Sequence, residues 1–67
     1  MQASSYKNRP NRQVLRSNCN GIYLYGSADF LAQKWQEHSE RLKLEGDFVS
    51  AERFGQQAEH YRRLASA

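Results

Sequence analysis

Residues 42–61 of the chain read LKLEGDFVSAERFGQQAEHY, and this stretch decides the fold. A glycine at position 46 is typical of the residue just past the end of a helix, and Asp47 directly after it suits the N-cap of a new helix. We therefore expect one helix to end near residue 45 and another to begin near residue 48. Because so short a link separates them, the two helices should fold back on each other as an antiparallel hairpin.

Apolar side chains recur at helical spacing on both sides of this link. The stripe before it consists of Ala28, Leu31, Trp35 and Leu42, and the stripe after it of Ala51, Phe54, Ala58, Tyr61 and Ala65. Such spacing predicts a first helix over about 28–45, with Ser27 as its N-cap, and a second over about 48–65. Gly55 interrupts the second helix, which we interpret as a sign of close helix packing.

Two helices alone leave one side of these stripes uncovered, so the stripes are also a candidate interface. A homodimer or a larger protein partner would complete it. The predicted interface residues are Leu31, Trp35, Leu42, Ala51, Phe54, Ala58 and Tyr61.

A short extended segment is expected before the helices. Residues 22–25 (IYLY) are β-branched and aromatic, and Gly26 closes them. One strand needs a partner, which could be a second chain, the N-terminal arm or a helix. Residues 17–21 (SNCNG) are interpreted as a turn, because Asn20-Gly21 favours positive φ.

All of the net positive charge lies at the N-terminus. The chain has a formal charge of +3, whereas residues 1–16 alone contribute +4 and contain no acid. This segment is too poor in apolar residues to fold by itself, so we expect a disordered arm over 1–16 and a folded unit over 17–67. The predicted fold class is mainly α: an antiparallel helical hairpin preceded by a short extended segment and a disordered basic N-terminal arm.

A basic arm of this kind indicates a polyanionic partner, although a solubilising tail is the alternative. The candidate nucleic-acid-binding residues are Lys7, Arg9, Arg12 and Arg16 for phosphates, and Tyr6, Tyr23 and Tyr25 for stacking on bases. For Tyr23 and Tyr25 the alternative is packing against the neighbouring helix.

No residue pattern indicates catalysis, so we expect a protein that is not an enzyme and has no cofactor and no metal site. The chain has one cysteine, Cys19, and lacks a phosphate loop or a zinc-ligand spacing. A lone thiol fits a reducing compartment, and the sequence shows neither a hydrophobic leader nor an apolar run long enough to cross a bilayer. We expect a cytoplasmic protein without membrane contact.

Several short motifs resemble those of a short alphaproteobacterial domain family of unknown function. They are Arg16-Ser17-Asn18, Gly26-Ser27-Ala28, Leu31-Ala32-Gln33-Lys34, Glu45-Gly46-Asp47, Ala51-Glu52-Arg53-Phe54 and Gln57-Ala58-Glu59-His60-Tyr61-Arg62. The resemblance implies a basic N-terminal arm and a suspected role in binding RNA. The chain departs from the family at Trp35, where tyrosine is usual, in a less basic segment 22–25, and in a shorter arm.

These observations lead to two hypotheses. The first is an RNA- or ribonucleoprotein-binding adaptor, possibly associated with the ribosome, whose arm binds phosphates while the hairpin docks or dimerises. The second is a protein–protein interaction module that completes a helical assembly or regulates a larger enzyme.

Overall fold

The computed structural model describes residues 14–67, which form two strands followed by two helices. The strands are β1 (Leu15–Cys19) and β2 (Ile22–Gly26), and the helices are α1 (Ala28–Leu44) and α2 (Phe48–Ser66). The predicted mainly α fold, an antiparallel helical hairpin after a short extended segment, is confirmed, and both helices end within one residue of the predicted bounds. The greater part of the predicted arm, residues 1–13, lies outside the described residues.

The link between the helices uses the residues that the sequence indicated. Gly46 has a φ of 87°, its N–H donates to the carbonyl of Lys43 (3.1 Å), and the N–H of Asp47 donates to the carbonyl of Leu42 (2.9 Å). These two bonds form a Schellman motif, which ends α1. The Asp47 side chain then accepts the N–H of Ser50 (3.2 Å) and so caps α2.

The extended segment is one half of a β-hairpin. β1 and β2 pair antiparallel, and Asn20 and Gly21 join them with φ values of 53° and 84°. Positive φ at both central residues defines a type I′ turn, whose twist matches that of the strands. The turn expected over 17–21 is therefore wrong in extent, since residues 17–19 belong to β1. Arg16, assigned from the sequence to the arm, also lies in this strand.

The β-hairpin packs across one side of the helix pair and completes the core. Trp35 is fully buried, its ring lies 5.3 Å from that of Phe54, and its indole N–H donates to the Ser17 hydroxyl (2.9 Å). The buried core comprises Cys19, Ala28, Leu31, Ala32, Trp35, Phe54, Ala58 and Tyr61.

The seven residues predicted as an interface lie inside the single chain. Six are buried and Leu42 is half-buried. From the sequence we expected the helix pair to leave this stripe uncovered, and this expectation is wrong. Residues 17–19 were assigned to a turn, so neither β1 nor the two-stranded layer that covers the helices was predicted. These seven residues therefore belong to the core of the chain itself.

Candidate nucleic-acid interface

The outer side of the β-hairpin presents four polar and aromatic side chains to solvent. Side chains alternate across a strand, so Ser17, Cys19 and Leu24 point towards the helices while their neighbours point away. We call the outward-pointing group the hairpin face; it consists of Arg16, Asn18, Tyr23 and Tyr25.

The strand register sets which of these side chains are neighbours. Arg16 lies opposite Tyr25, and Asn18 lies opposite Tyr23. In a hairpin closed by a two-residue turn, the strand residues next to the turn exchange backbone hydrogen bonds, and pair types then alternate along the ladder. Both pairs of the hairpin face thus occupy non-hydrogen-bonded positions, where opposing side chains approach most closely.

The two tyrosines are exposed. Tyr23 retains 65% and Tyr25 58% of its accessible surface. The alternative interpretation, that these rings pack against a helix, is therefore wrong. Among residues 14–67, the aromatic ring contacts involve Trp35, His38, Phe54, His60 and Tyr61, and neither hairpin tyrosine takes part. Their ring faces are available for stacking on a ligand.

An open groove runs between the side chains of the hairpin face. Its volume is about 160 Å³, and its lining consists of the four side chains of this face together with Ser17. Because Ser17 points to the opposite side of the strand, the groove reaches the strand backbone between Arg16 and Asn18.

Two hydrogen bonds hold the hairpin face in position. The buried bond from Trp35 to Ser17 (2.9 Å) ties the middle of β1 to α1. At the turn, the Asn18 carboxamide oxygen accepts the N–H of Gly21 (3.2 Å). The face is thus presented by paired strands resting on a packed helix, which keeps the side chains of a binding site in a fixed arrangement.

The charges of residues 14–67 balance, so the excess positive charge lies in residues 1–13. Residues 14–67 contain seven basic and seven acidic residues, and the chain's net +3 comes from Lys7, Arg9 and Arg12. At the end of α2, Arg62 and Arg63 both form ion pairs with Glu59, at 2.6 and 3.4 Å. Within the described residues Arg16 has no such carboxylate partner, so its guanidinium is available to an anion.

The structure brings together three of the seven predicted nucleic-acid-binding residues: Arg16, Tyr23 and Tyr25. The other four, Tyr6, Lys7, Arg9 and Arg12, lie outside the described residues. The sequence reading missed Asn18. The signal was present, because an Asn-Gly pair at 20–21 that acts as a two-residue turn places Asn18 opposite Tyr23.

The described part of the chain also bears on the sequence expectations for metal ligands, for the cysteine and for a membrane span. Over residues 14–67 no three His, Cys, Asp or Glu side chains come together as a metal site would require. Burial raises the pKa of the Cys19 thiol, and nearby Arg53 offsets this in part, so the thiol is protonated near neutral pH. In the same range neither helix is long and apolar enough to cross a membrane.

A second exposed surface lies at the link between the helices. Leu44, Phe48 and Val49 retain 89%, 67% and 70% of their accessible surface. Three large apolar side chains within six residues form what we call the apolar tip. Exposed apolar groups in such proximity are typical of protein contact sites.

Comparison with protein families gives one match, whose model is described as a domain of unknown function, DUF4167, and which extends over residues 1–67. Comparisons with curated proteins and with solved structures give no match. The family match agrees with the resemblance to an uncharacterised family that the sequence motifs indicated.

Proposed function

The chain belongs to the DUF4167 family of domains of unknown function, and from the geometry of its hairpin face we propose that it is a non-enzymatic adaptor that binds single-stranded RNA. The arm attracts the phosphate backbone, and the hairpin face stacks on bases. A ribonucleoprotein particle such as the ribosome is the proposed setting, in the cytoplasm. Membership of an alphaproteobacterial group of this family remains a prediction from the motifs.

The exposure of Tyr23 and Tyr25 on one face is the observation that supports this proposal most strongly. Tyrosines of a short strand are usually covered by the element they pack on. More than half of the accessible surface of these two remains exposed, and Tyr25 lies opposite Arg16. Stacking on aromatic rings is how proteins bind single-stranded nucleic acid with little sequence preference, at about 1–3 kcal/mol per base. Uncompensated cations supply the accompanying phosphate contacts.

The arm and the hairpin face can be tested separately by fluorescence anisotropy with a labelled single-stranded RNA across a salt series. If Lys7, Arg9, Arg12 and Arg16 all contact phosphates, log K should fall with log salt with a slope of about −3. Replacing the first three by glutamine should reduce the slope to about −0.7. Glutamine substitution is preferable to deletion through residue 16, which would remove part of β1.

A second variant, Tyr23→Ala with Tyr25→Ala, should weaken binding about tenfold at every salt concentration and leave the slope unchanged, because stacking displaces no counterions. The matched control is Arg62→Gln with Arg63→Gln, which removes two cations already paired with Glu59 and should bind as the parent does. If the arm variant and the tyrosine variant both bind RNA as the parent does, the proposal is wrong.

A protein–protein interaction module is the second candidate function, and the apolar tip favours it. We propose a second copy of this chain as the occupant, because a patch of uncharged apolar side chains is self-complementary under two-fold symmetry. Three side chains offer less than the roughly 800 Å² per partner of a standard interface, so the self-association should be weak.

Sedimentation at several protein concentrations tests this second candidate. The parent should show a concentration-dependent increase in mass, and the Leu44→Ser, Phe48→Ser, Val49→Ser variant should remain monomeric with the same helical circular dichroism. A parent that stays monomeric at all concentrations would exclude the dimer.

A further inference from the structure

The gap in the hairpin face has the dimensions of a slot for one flat ring. Strand residues two apart are separated by about 6.8 Å, from a rise of about 3.4 Å per residue. Stacked bases are spaced about 3.4 Å apart. With the two rings turned face to face across this spacing, a base inserted between Tyr23 and Tyr25 would lie at stacking distance from both. The groove there, of about 160 Å³, is smaller than the roughly 300–1,000 Å³ of ordinary ligand pockets, so it suits a single planar group.

The polar side chains at the edge of this slot both present hydrogen-bond donors. The N–H of Gly21 needs an acceptor, so the carboxamide oxygen of Asn18 faces the turn, at 3.2 Å. The oxygen keeps a second lone pair, but it is held at the turn, so the group of Asn18 directed away from the turn is the NH₂, which only donates. Arg16, opposite Tyr25, likewise has donors and no acceptor.

Donors at the slot favour bases with carbonyl acceptors. Uracil and guanine carry a carbonyl oxygen at the position where cytosine and adenine carry an amino group, which is itself a donor. An amino group directed at the NH₂ of Asn18 would leave both donors without an acceptor, and unpaired polar groups reject a ligand more strongly than matched groups attract one.

From these observations we infer that the gap between Tyr23 and Tyr25 is a binding slot for one unstacked base of single-stranded RNA, with a preference for the keto bases uracil and guanine over cytosine and adenine. This inference rests on the proposed function and specifies its ligand. Tyr23 and Tyr25 sandwich the base, Asn18 donates to its carbonyl oxygen, and Arg16 binds the adjoining phosphate or a second acceptor.

The base preference can be tested with labelled RNA octamers of uridine and of cytidine, bound to the full chain at one salt concentration. The parent should bind the uridine octamer about fivefold more tightly, which corresponds to the net contribution of one hydrogen bond. Asn18→Asp is the informative variant, because its carboxylate still accepts the Gly21 N–H but presents only acceptors to the ligand. The ratio should shift towards cytidine, whereas the added negative charge weakens both octamers alike.

The sandwich predicts a specific pattern in a double-mutant cycle on the uridine octamer. One base held by two rings depends on both, so Tyr23→Ala, Tyr25→Ala and the double variant should each weaken binding by about the same factor of ten. Two bases stacking separately would instead give effects that multiply.

The outcomes separate the inference from the proposed function. The slot hypothesis is wrong if the two tyrosine substitutions have multiplicative effects on affinity. It is also wrong if Asn18→Asp leaves the uridine-to-cytidine affinity ratio unchanged. In both cases the proposal that the chain binds RNA is unaffected. If neither octamer binds the parent, the proposed function itself fails.

Discussion

At the scale of single residues, the position of His38 beside the aromatic core lowers its pKa. Its ring stacks on Phe54 at 5.4 Å and lies 5.7 Å from Trp35. Burial lowers the pKa of His38, the positive charges of Arg41 and Lys34 lower it further, and Glu37 opposes them. A histidine set against two core rings is thus a boundary residue of the core.

The lowered pKa predicts a pH dependence of stability. The unfolded chain binds a proton at His38 near the ordinary value of about 6.5, whereas the folded chain binds it at a lower pH. The His38 contribution should therefore be constant above pH 7, decline as pH falls below about 6.5, and level off below the folded pKa. Urea unfolding at several pH values measures this.

The matched control for this prediction is His38→Phe, which keeps a ring against Phe54 but has no titratable group. His60 is present in both proteins, so the difference between their pH profiles reports on His38. Parallel profiles of the two proteins between pH 7 and pH 5.5 would contradict the prediction.

Gly55 has a different role in the structure from the one expected from the sequence. Close packing was the expected reason for a glycine inside α2, yet a Cβ built at position 55 meets only the Ser39 hydroxyl, at an ordinary contact distance of 3.4 Å. Gly55→Ala should therefore raise the free energy of unfolding by about 0.4–1 kcal/mol through reduced backbone entropy of the unfolded chain. Thermal or urea unfolding checks this, and a destabilised variant would show that the Ser39–Ala51 bond (2.7 Å) tolerates no added atom.

At the scale of elements, the β-hairpin depends on the helices more than on itself, because two strands alone are marginal in water. Its attachment is the buried hydrogen bond between Trp35 and Ser17, two residues 18 positions apart. The bond satisfies both polar groups inside the core, where an unpaired hydroxyl or indole N–H is costly.

Removing one partner of this hydrogen bond should lower the free energy of unfolding more than removing both partners. Trp35→Phe leaves the Ser17 hydroxyl unpaired and creates a space, so it should lower stability by about 2–4 kcal/mol. Adding Ser17→Ala to that variant should recover about 1 kcal/mol, because no buried hydroxyl then remains. Chemical unfolding of the parent, the two single variants and the double variant measures this recovery. Strictly additive changes in the free energy of unfolding would contradict the prediction.

The helical hairpin could be predicted from the sequence. Of the β-hairpin, β2 was predicted but β1 was not. Gly46-Asp47 combines a helix stop and a helix start in adjacent residues, and the structure forms both motifs. In β1 the inward positions are Leu15, Ser17 and Cys19, of which Ser17 is polar and becomes buried only because Trp35 reaches it. That contact joins distant segments, so no local pattern reveals it. Asn18 was missed for a different reason: residues 17–19 were assigned to the turn, although a two-residue turn at Asn20-Gly21 places Asn18 opposite Tyr23.

At the scale of the whole molecule, residues 14–67 carry no net charge, and residues 1–13 supply the net charge of the chain. The seven cations of residues 14–67 are balanced by seven acids. Under the proposed function, attraction to RNA at long range depends on Lys7, Arg9 and Arg12, whereas the contacts at short range are made by the hairpin face. Affinity and base preference should thus be separable properties of this protein.

A chain beginning at residue 14 tests this division. Since the described core is built from residues 15–65, the shortened chain should unfold at nearly the same temperature as the parent. Its association rate with RNA should fall and lose most of its salt dependence. Stopped-flow mixing measures the rate, and a melting temperature lowered by about 4 °C or more, equivalent to about 1 kcal/mol in a domain of this size, would show that the first 13 residues are part of the fold.

The two short connections, Asn20-Gly21 in the β-hairpin and residues 45–47 between the helices, have a consequence for the speed of folding. Each joins elements that are neighbours in sequence, so little loop entropy is lost before the first contacts form. Topologies dominated by local contacts fold in microseconds to milliseconds. The chain has one tryptophan, Trp35, buried where strands and helices meet. Its fluorescence after a temperature jump should therefore report the docking of the two hairpins as a single fast relaxation.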